Sequence, residues 1–112
     1  MLPPKHRLKH DADIKAVVKK GNSVFDSVCG VKYRKNDLDV SRFAVSVGLK
    51  VHKSAVKRNR VKRHYREIVR LALDQIKPGY DVVLLTSSKA VDLEYADKEK
   101  RPIGVLKKAK LL

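Results

Sequence analysis

The chain reads as a single α/β sandwich, with helices packed on a small sheet, and three stretches predict it. From Ser54 to Ile76 apolar residues recur at helical spacing, with Val61, Tyr65, Ile68, Val69, Ala72, Leu73 and Ile76 on one stripe. Before it, Phe43, Val45, Val47 and Leu49 alternate with Arg42, Ala44, Ser46 and Gly48, as in a strand buried on one face. After it, Asp81–Thr86 is a continuous apolar run, the pattern of a centrally buried strand. With 112 residues the chain is expected to form one domain and one core.

The remaining elements follow in order. Pro3 and Pro4 favour an extended start. Asp11 to Lys20 is a short helix: Ile14, Val17 and Val18 share a face, Asp11 and Asp13 suit the positive end of the helix dipole, and Gly21 supplies the stop. Between Val24 and Arg34, Cys29, Val31 and Tyr33 alternate with Gly30, Lys32 and Arg34 in a strand pattern. Asn36–Asp39 is a turn cluster, so this run and the next are expected to form an antiparallel pair. Ser54 is placed to cap the long helix, and Lys77-Pro78-Gly79 ends it. Thr86-Ser87-Ser88 makes a loop, and Leu93–Leu112 reads as a last helix. Pro102 and Gly104 fall inside that helix, and a proline there costs about 3 kcal/mol, so a kink or two shorter helices are expected. The element order is therefore α-β-β(-β)-α-β-α.

Charge points to the partner. The net charge is +15, and nine Lys or Arg residues lie between Lys50 and Arg70 with a single carboxylate, Glu67. Such a field steers association with phosphate polyanions and makes binding salt-sensitive. Like charges at i, i+4, such as Lys62, Arg66 and Arg70, destabilise an isolated helix by about 0.2–0.5 kcal/mol per pair. A polyanion on that face removes the conflict. A merely solvating face would carry interspersed acids, which this one lacks.

DNA-reading motifs fit poorly. A basic zipper would continue into heptads, whereas the chain breaks at Pro78, and a helix-turn-helix needs a helix where a strand precedes. Asn59, between Arg58 and Arg60, suits phosphate, 2′-hydroxyl and base-edge contacts.

Catalytic signals are weak. His6, His10, His52 and His64 sit in basic surroundings that repel a divalent cation. No serine has a nucleophile-elbow context. Asp11 and Asp13 read as helix-start residues, and the single cysteine, Cys29, as a core thiol that excludes an intramolecular disulfide. No apolar run approaches the about 20 residues of a membrane span, and the start MLPPKHRLKHDAD lacks an apolar signal region, so a cytoplasmic location is expected.

The stretch RFAVSVGLKVHKSAVKRNRVKRHYREIVR resembles the protein subunits of bacterial ribonuclease P. The resemblance is carried by Arg58-Asn59-Arg60, then Val61-Lys62-Arg63, with Arg66-Glu67 a turn later. Arg7-Leu8-Lys9, the RFAVSV strand, Lys50-Val51, PGYDVVLL and the closing Leu106–Leu112 segment match in the same order. It implies a four-stranded sheet with a left-handed β-α-β crossover, like the second domain of a small-subunit ribosomal protein. It also implies a protein cofactor: a large RNA, using bound Mg²⁺, removes the 5′ leader of precursor tRNA, and the protein grips that RNA and extends the surface to the leader. No membrane and no obligate protein partner are implied.

By matched position Arg58, Asn59, Arg60, Lys62, Arg63 and Arg66 meet the catalytic RNA, with Lys53 and Lys57 adding phosphate contacts. A cleft between the first helix and the sheet takes the leader. The family commonly places two phenylalanines on that helix, where this chain has Ile14 and Val18; Tyr33 and Phe43 are the remaining aromatic candidates. The approach from Lys50 to Arg58 is about a residue longer than the common pattern. Without the resemblance, the same residues would equally suit a ribosomal-type structural RNA binder.

Overall fold

The most apolar run in the chain occupies the middle of the sheet. The computed structural model describes residues 3–25, 29–47, 53–86 and 95–112, the last stretch in backbone alone up to 101. Helix α1 (Asp11–Lys20) is followed by strands β1 (Asn22–Phe25), β2 (Cys29–Lys35) and β3 (Arg42–Ser46). Helix α2 (Ala55–Ala72), strand β4 (Tyr80–Thr86) and helix α3 (Tyr95–Lys108) complete the order. The strands form one sheet in the order β1-β2-β4-β3.

Strands β2 and β3, expected to pair from their succession in the sequence, are separated by β4. Strand β4 runs antiparallel to β2 and parallel to β3, with Val31 and Val45 both opposite Leu84. Val82, Val83 and Leu84 have no solvent exposure, so β4 buries both faces and pairs along both edges. Hydrophobic burial thus outranks sequence proximity. The run expected from Val24 to Arg34 contains two strands, β1 and β2, paired as a hairpin with Phe25 opposite Gly30. The turn residues of that hairpin, the end of the expected strand after Val47, and Leu93 lie outside the described residues.

The two faces of the sheet carry different helices. Val31, Val45, Val82 and Leu84 share a core with Val61, Tyr65, Ile68 and Val69 of α2 and with Val105 and Leu106 of α3. On the other face Val83 packs with Val17 of α1 and with Leu8, flanked by Ile14, Ala44 and Leu85. The free edge of β3 is covered by the N-terminal segment: Arg7 bridges Phe43 in parallel, and the Leu8 N–H donates to the Phe43 carbonyl at 2.9 Å.

Helix α2 begins as its sequence suggests, with the Ser54 hydroxyl accepting from the Lys57 N–H at 3.3 Å. Its regular part ends at Ala72, and a short 3₁₀ turn, Leu73–Gln75, leads to buried Ile76. Gly79 follows at φ +89°, a conformation that favours glycine.

Helix α3 is one helix rather than the two shorter ones that were one of the two alternatives expected. It runs unbroken through Pro102 and Gly104. Pro102 is fully buried, and the burial of Val105, Leu106, Ala109 and Leu111 beside it offsets the proline's local cost. A Cβ on Gly104 would meet nothing within 4 Å. Gly104→Ala is therefore expected to stabilise the fold by about 0.5–1 kcal/mol in chemical denaturation. A destabilised variant would mean that this position needs the glycine backbone.

A polar network ties the start of β3 and β4 to α1. Asp81, 7% exposed, receives Arg42 in a bidentate pair at 2.8 and 2.7 Å, and Asn36 Nδ2 donates to it at 2.9 Å. Arg42 also stands 3.7 Å from Asp13 of α1. The hydrogen bond to Asp81 raises the Arg42 pKa above its ordinary value, with burial opposing it.

Candidate nucleic-acid interface

Helix α2 turns its apolar stripe into the core and presents its cations outward, because 3.6 residues per turn place 61, 65, 68 and 72 together. Lys53, Lys57, Asn59, Arg60, Arg63 and Arg66 are exposed; Arg58 and Lys62 are half-buried. All eight residues expected to meet RNA therefore lie on or beside one helix. Consecutive residues fan out by about 100°, so Arg58, Asn59 and Arg60 do not point the same way. Asn59, Lys62, Arg63 and Arg66 surround a shallow depression of about 340 Å³ with Val56 at its apolar side. Lys57 and Arg60 occupy the opposite flank.

Arg58 differs from its neighbours. Its Nη1 donates to the Lys53 carbonyl at 3.0 Å, so it holds the approach to the helix as well as presenting charge. Arg70 is engaged by Glu67, the single carboxylate of α2, through an ion pair and hydrogen bonds one turn apart. That hydrogen bonding holds the Glu67 carboxyl below its usual range and raises Arg70. Among the described residues no carboxylate reaches Lys57, Arg60, Lys62, Arg63 or Arg66 within ion-pair distance.

Glu67→Gln is expected to tighten RNA binding and to steepen its salt dependence by about one unit of log–log slope, since one fixed anion leaves the face. The depressed Glu67 pKa also sets a sign. The stability that the pair supplies is present above the unfolded carboxyl pKa and fades as pH falls through the lower folded value. Wild type and Glu67→Gln should therefore converge in stability at acidic pH; a difference constant with pH would contradict this pairing.

A second hollow adjoins the helix. A groove of about 390 Å³ is lined by Arg7, Leu8, Lys9, Ile14, Phe43, Ala44, Val45, Lys62 and Arg66. Lys62 and Arg66 border both hollows, so the basic surface continues from the outer face of α2 toward α1. Of the four cleft candidates, the structure brings Ile14 and Phe43 to this groove. Val18 lies one helical turn farther along α1 and is 39% exposed.

The two aromatic candidates lie on the sheet face that α2 and α3 cover. By register Tyr33 shares the face of Val82, on the α2–α3 side of the sheet, with its ring 6.1 Å from that of Tyr80. Phe43 borders the groove but is 3% exposed and belongs to that same core. Period-two alternation groups residues by face without saying which helix covers the face. Sequence reasoning gave no role of their own to Arg7 and Lys9, which flank buried Leu8 and line the groove. Their alternation about an apolar residue was the available signal.

An outward basic helix on a mixed four-stranded sheet, with a groove running to a second helix, defines an RNA-binding α/β protein. The family profile described as Ribonuclease P matches residues 2–110. The ribonuclease P protein component of Clostridioides difficile is 38% identical over 102 residues, covering 90% of this chain and 89% of that one. The solved structure of the Staphylococcus aureus RNase P protein superposes with a TM-score of 0.87 at 31% identity, covering 95% and 96% of the two chains. That of Thermotoga maritima gives 0.83 at 29% identity, covering 91% and 96%. The chain belongs to the ribonuclease P protein family. It is a protein subunit of the ribonucleoprotein enzyme that processes tRNA, and it partners the RNA subunit.

Proposed function

We propose that this subunit acts by electrostatics and positioning, and that the RNA subunit performs the hydrolysis that frees the 5′ leader of precursor tRNA. The carrying observation is the unneutralised face of α2, where Lys57, Arg60, Lys62, Arg63 and Arg66 meet no described carboxylate. Arg58, Asn59 and Lys53 extend that face to the start of the helix. Fixed cations replace part of the counterion cloud that the RNA otherwise gathers, and the released ions favour the complex. Arg is suited to bidentate phosphate contact, and Asn59 offers both a donor and an acceptor to a base edge or 2′-hydroxyl.

The groove bounded by Ile14, Ala44, Lys62 and Arg66 supports a path for the single-stranded leader alongside α1. Val18 continues that wall. Mg²⁺ belongs with the RNA in this reading. Among the described residues no three His, Cys, Asp or Glu side chains gather as a metal site, and the interface is cationic. Those residues do not fit as ligands. No helix of the described residues is long and apolar enough to cross a membrane, which accords with action in the bacterial cytoplasm beside its RNA partner.

The test is precursor-tRNA cleavage by a bacterial catalytic RNA at a few millimolar Mg²⁺, with and without this protein. Strong stimulation is expected. Tight, salt-sensitive RNA binding without stimulation would contradict the cofactor role.

A further inference from the structure

One of the chain's two phenylalanines is on the surface, and its setting gives it a use. Phe25, at the end of β1, is 54% exposed. It pairs across the sheet with Gly30, which pairs in turn with Leu85 of β4. Directly opposed residues share a face, and Leu85 lies with Val17 and Ile14 on the α1 side. Phe25 therefore stands on the same face of the sheet as α1.

Gly30 makes room for it. A Cβ on Gly30 would lie 2.1 Å from Phe25 Cδ1 and 2.4 Å from Cε1, so the ring fills the space above the glycine. One rung along the same face, Lys32 reaches over to α1, its Nζ donating to the Val18 carbonyl at 3.2 Å. Exposed Val18 and exposed Phe25 thus bracket Lys32, with Leu85 and Gly30 as floor.

We propose that Phe25 is a stacking platform for an unpaired base of the 5′ leader, a role that Ile14 and Val18 of α1 lack the rings to perform. The inference rests on the leader path proposed above. The occupant is RNA rather than protein because the apolar ring shares its face with the cation Lys32 one rung along, on a chain of net charge +15 whose α1 ends in Lys19 and Lys20. Aromatic rings in basic surroundings take single-stranded bases without regard to sequence, since every base has a π-face.

The test uses holoenzyme reconstituted with catalytic RNA, comparing affinity for precursor tRNA and for tRNA lacking a leader. Phe25→Leu keeps apolar bulk and removes the ring face. It should weaken leader-containing substrate about tenfold and leave leaderless tRNA and catalytic RNA unchanged. Phe25→Tyr should retain wild-type affinity. Gly30→Ala, whose Cβ must tilt the ring away, should share the loss.

A 2-aminopurine placed at successive leader positions should be quenched at one of them by wild type and Phe25→Tyr but not by Phe25→Leu. Wild-type affinity and quenching in Phe25→Leu would overturn the assignment, as would an equal loss for leaderless tRNA. Loss of self-association in Phe25→Leu with leader affinity intact would overturn it in favour of a contact between two copies. No leader-dependent affinity in the wild type would overturn the leader path and this assignment together.

Discussion

Replacing Arg60 and Arg63 together with alanine should weaken binding to the catalytic RNA on the order of a hundredfold while leaving the fold intact. Both side chains are exposed on the outer face of α2 and touch no described carboxylate, so nothing in the core depends on them. Alanine is the best helix former, and removing like charges relieves repulsion within α2, so the isolated subunit should be no less stable. Removing each arginine from its phosphate should weaken binding uniformly across RNA sequences and lower the salt slope by about one. Arg58 is a less clean probe than its place in the Arg-Asn-Arg motif suggests, because its bond to the Lys53 carbonyl also shapes the approach to the helix. Arg58→Ala should therefore combine lost charge with a displaced loop, and a lysine there should restore less than lysine at position 60.

Asp81→Ala should produce the largest loss of stability outside the apolar core, about 3 kcal/mol in denaturant unfolding, because it strands a partly buried guanidinium. Arg42 would lose both oxygens of its bidentate pair, and Asn36 would lose one of its two acceptors, keeping the Val40 carbonyl at 3.0 Å. The same site joins the turn after β2, the parallel β3–β4 pair and, through Asp13, the first turn of α1. Loosening it should therefore also blur the placement of α1 over the sheet. Asp81→Asn, which keeps an acceptor for Arg42, should cost less than the alanine variant. A loss below about 1 kcal/mol for Asp81→Ala would show that solvent reaches the pair and that it behaves as a surface bridge.

Neither Asp81 nor Arg42 stood out in the sequence, and the reason is general. A local pattern shows that Asp13 suits a helix start and that Asn36 suits a turn, and both are so placed. It cannot show that residues 36, 42 and 81 converge, because that follows from β4 inserting between β2 and β3. The insertion was half legible: the DVVLLT run declared a strand buried on both faces, which requires neighbours on both edges. Helix α2 was legible almost whole because two independent signals coincide there, an apolar stripe of period 3.6 and a cationic remainder.

Pro102 was half legible for the opposite reason. The cost of an interior proline is local and readable, whereas the burial that offsets it comes from partners distant in sequence. For the site, the basic residues could be read directly, since charge at helical spacing fixes which face they occupy. The leader side could not. Tyr33 and Phe43 alternate correctly with their neighbours, yet the face they share packs against α2 and α3, with Phe43 also bordering the groove, and among the described residues Phe25 is an aromatic on the α1 face.

The most direct test of the central claim is a salt titration of catalytic-RNA binding by wild type and the Arg60→Ala/Arg63→Ala variant. With six to eight phosphate contacts along α2, the wild-type binding constant should fall with a log–log slope on the order of −5 to −7, and the variant's slope should be shallower by about two. Identical slopes for the two proteins would place the RNA on another surface and contradict the account.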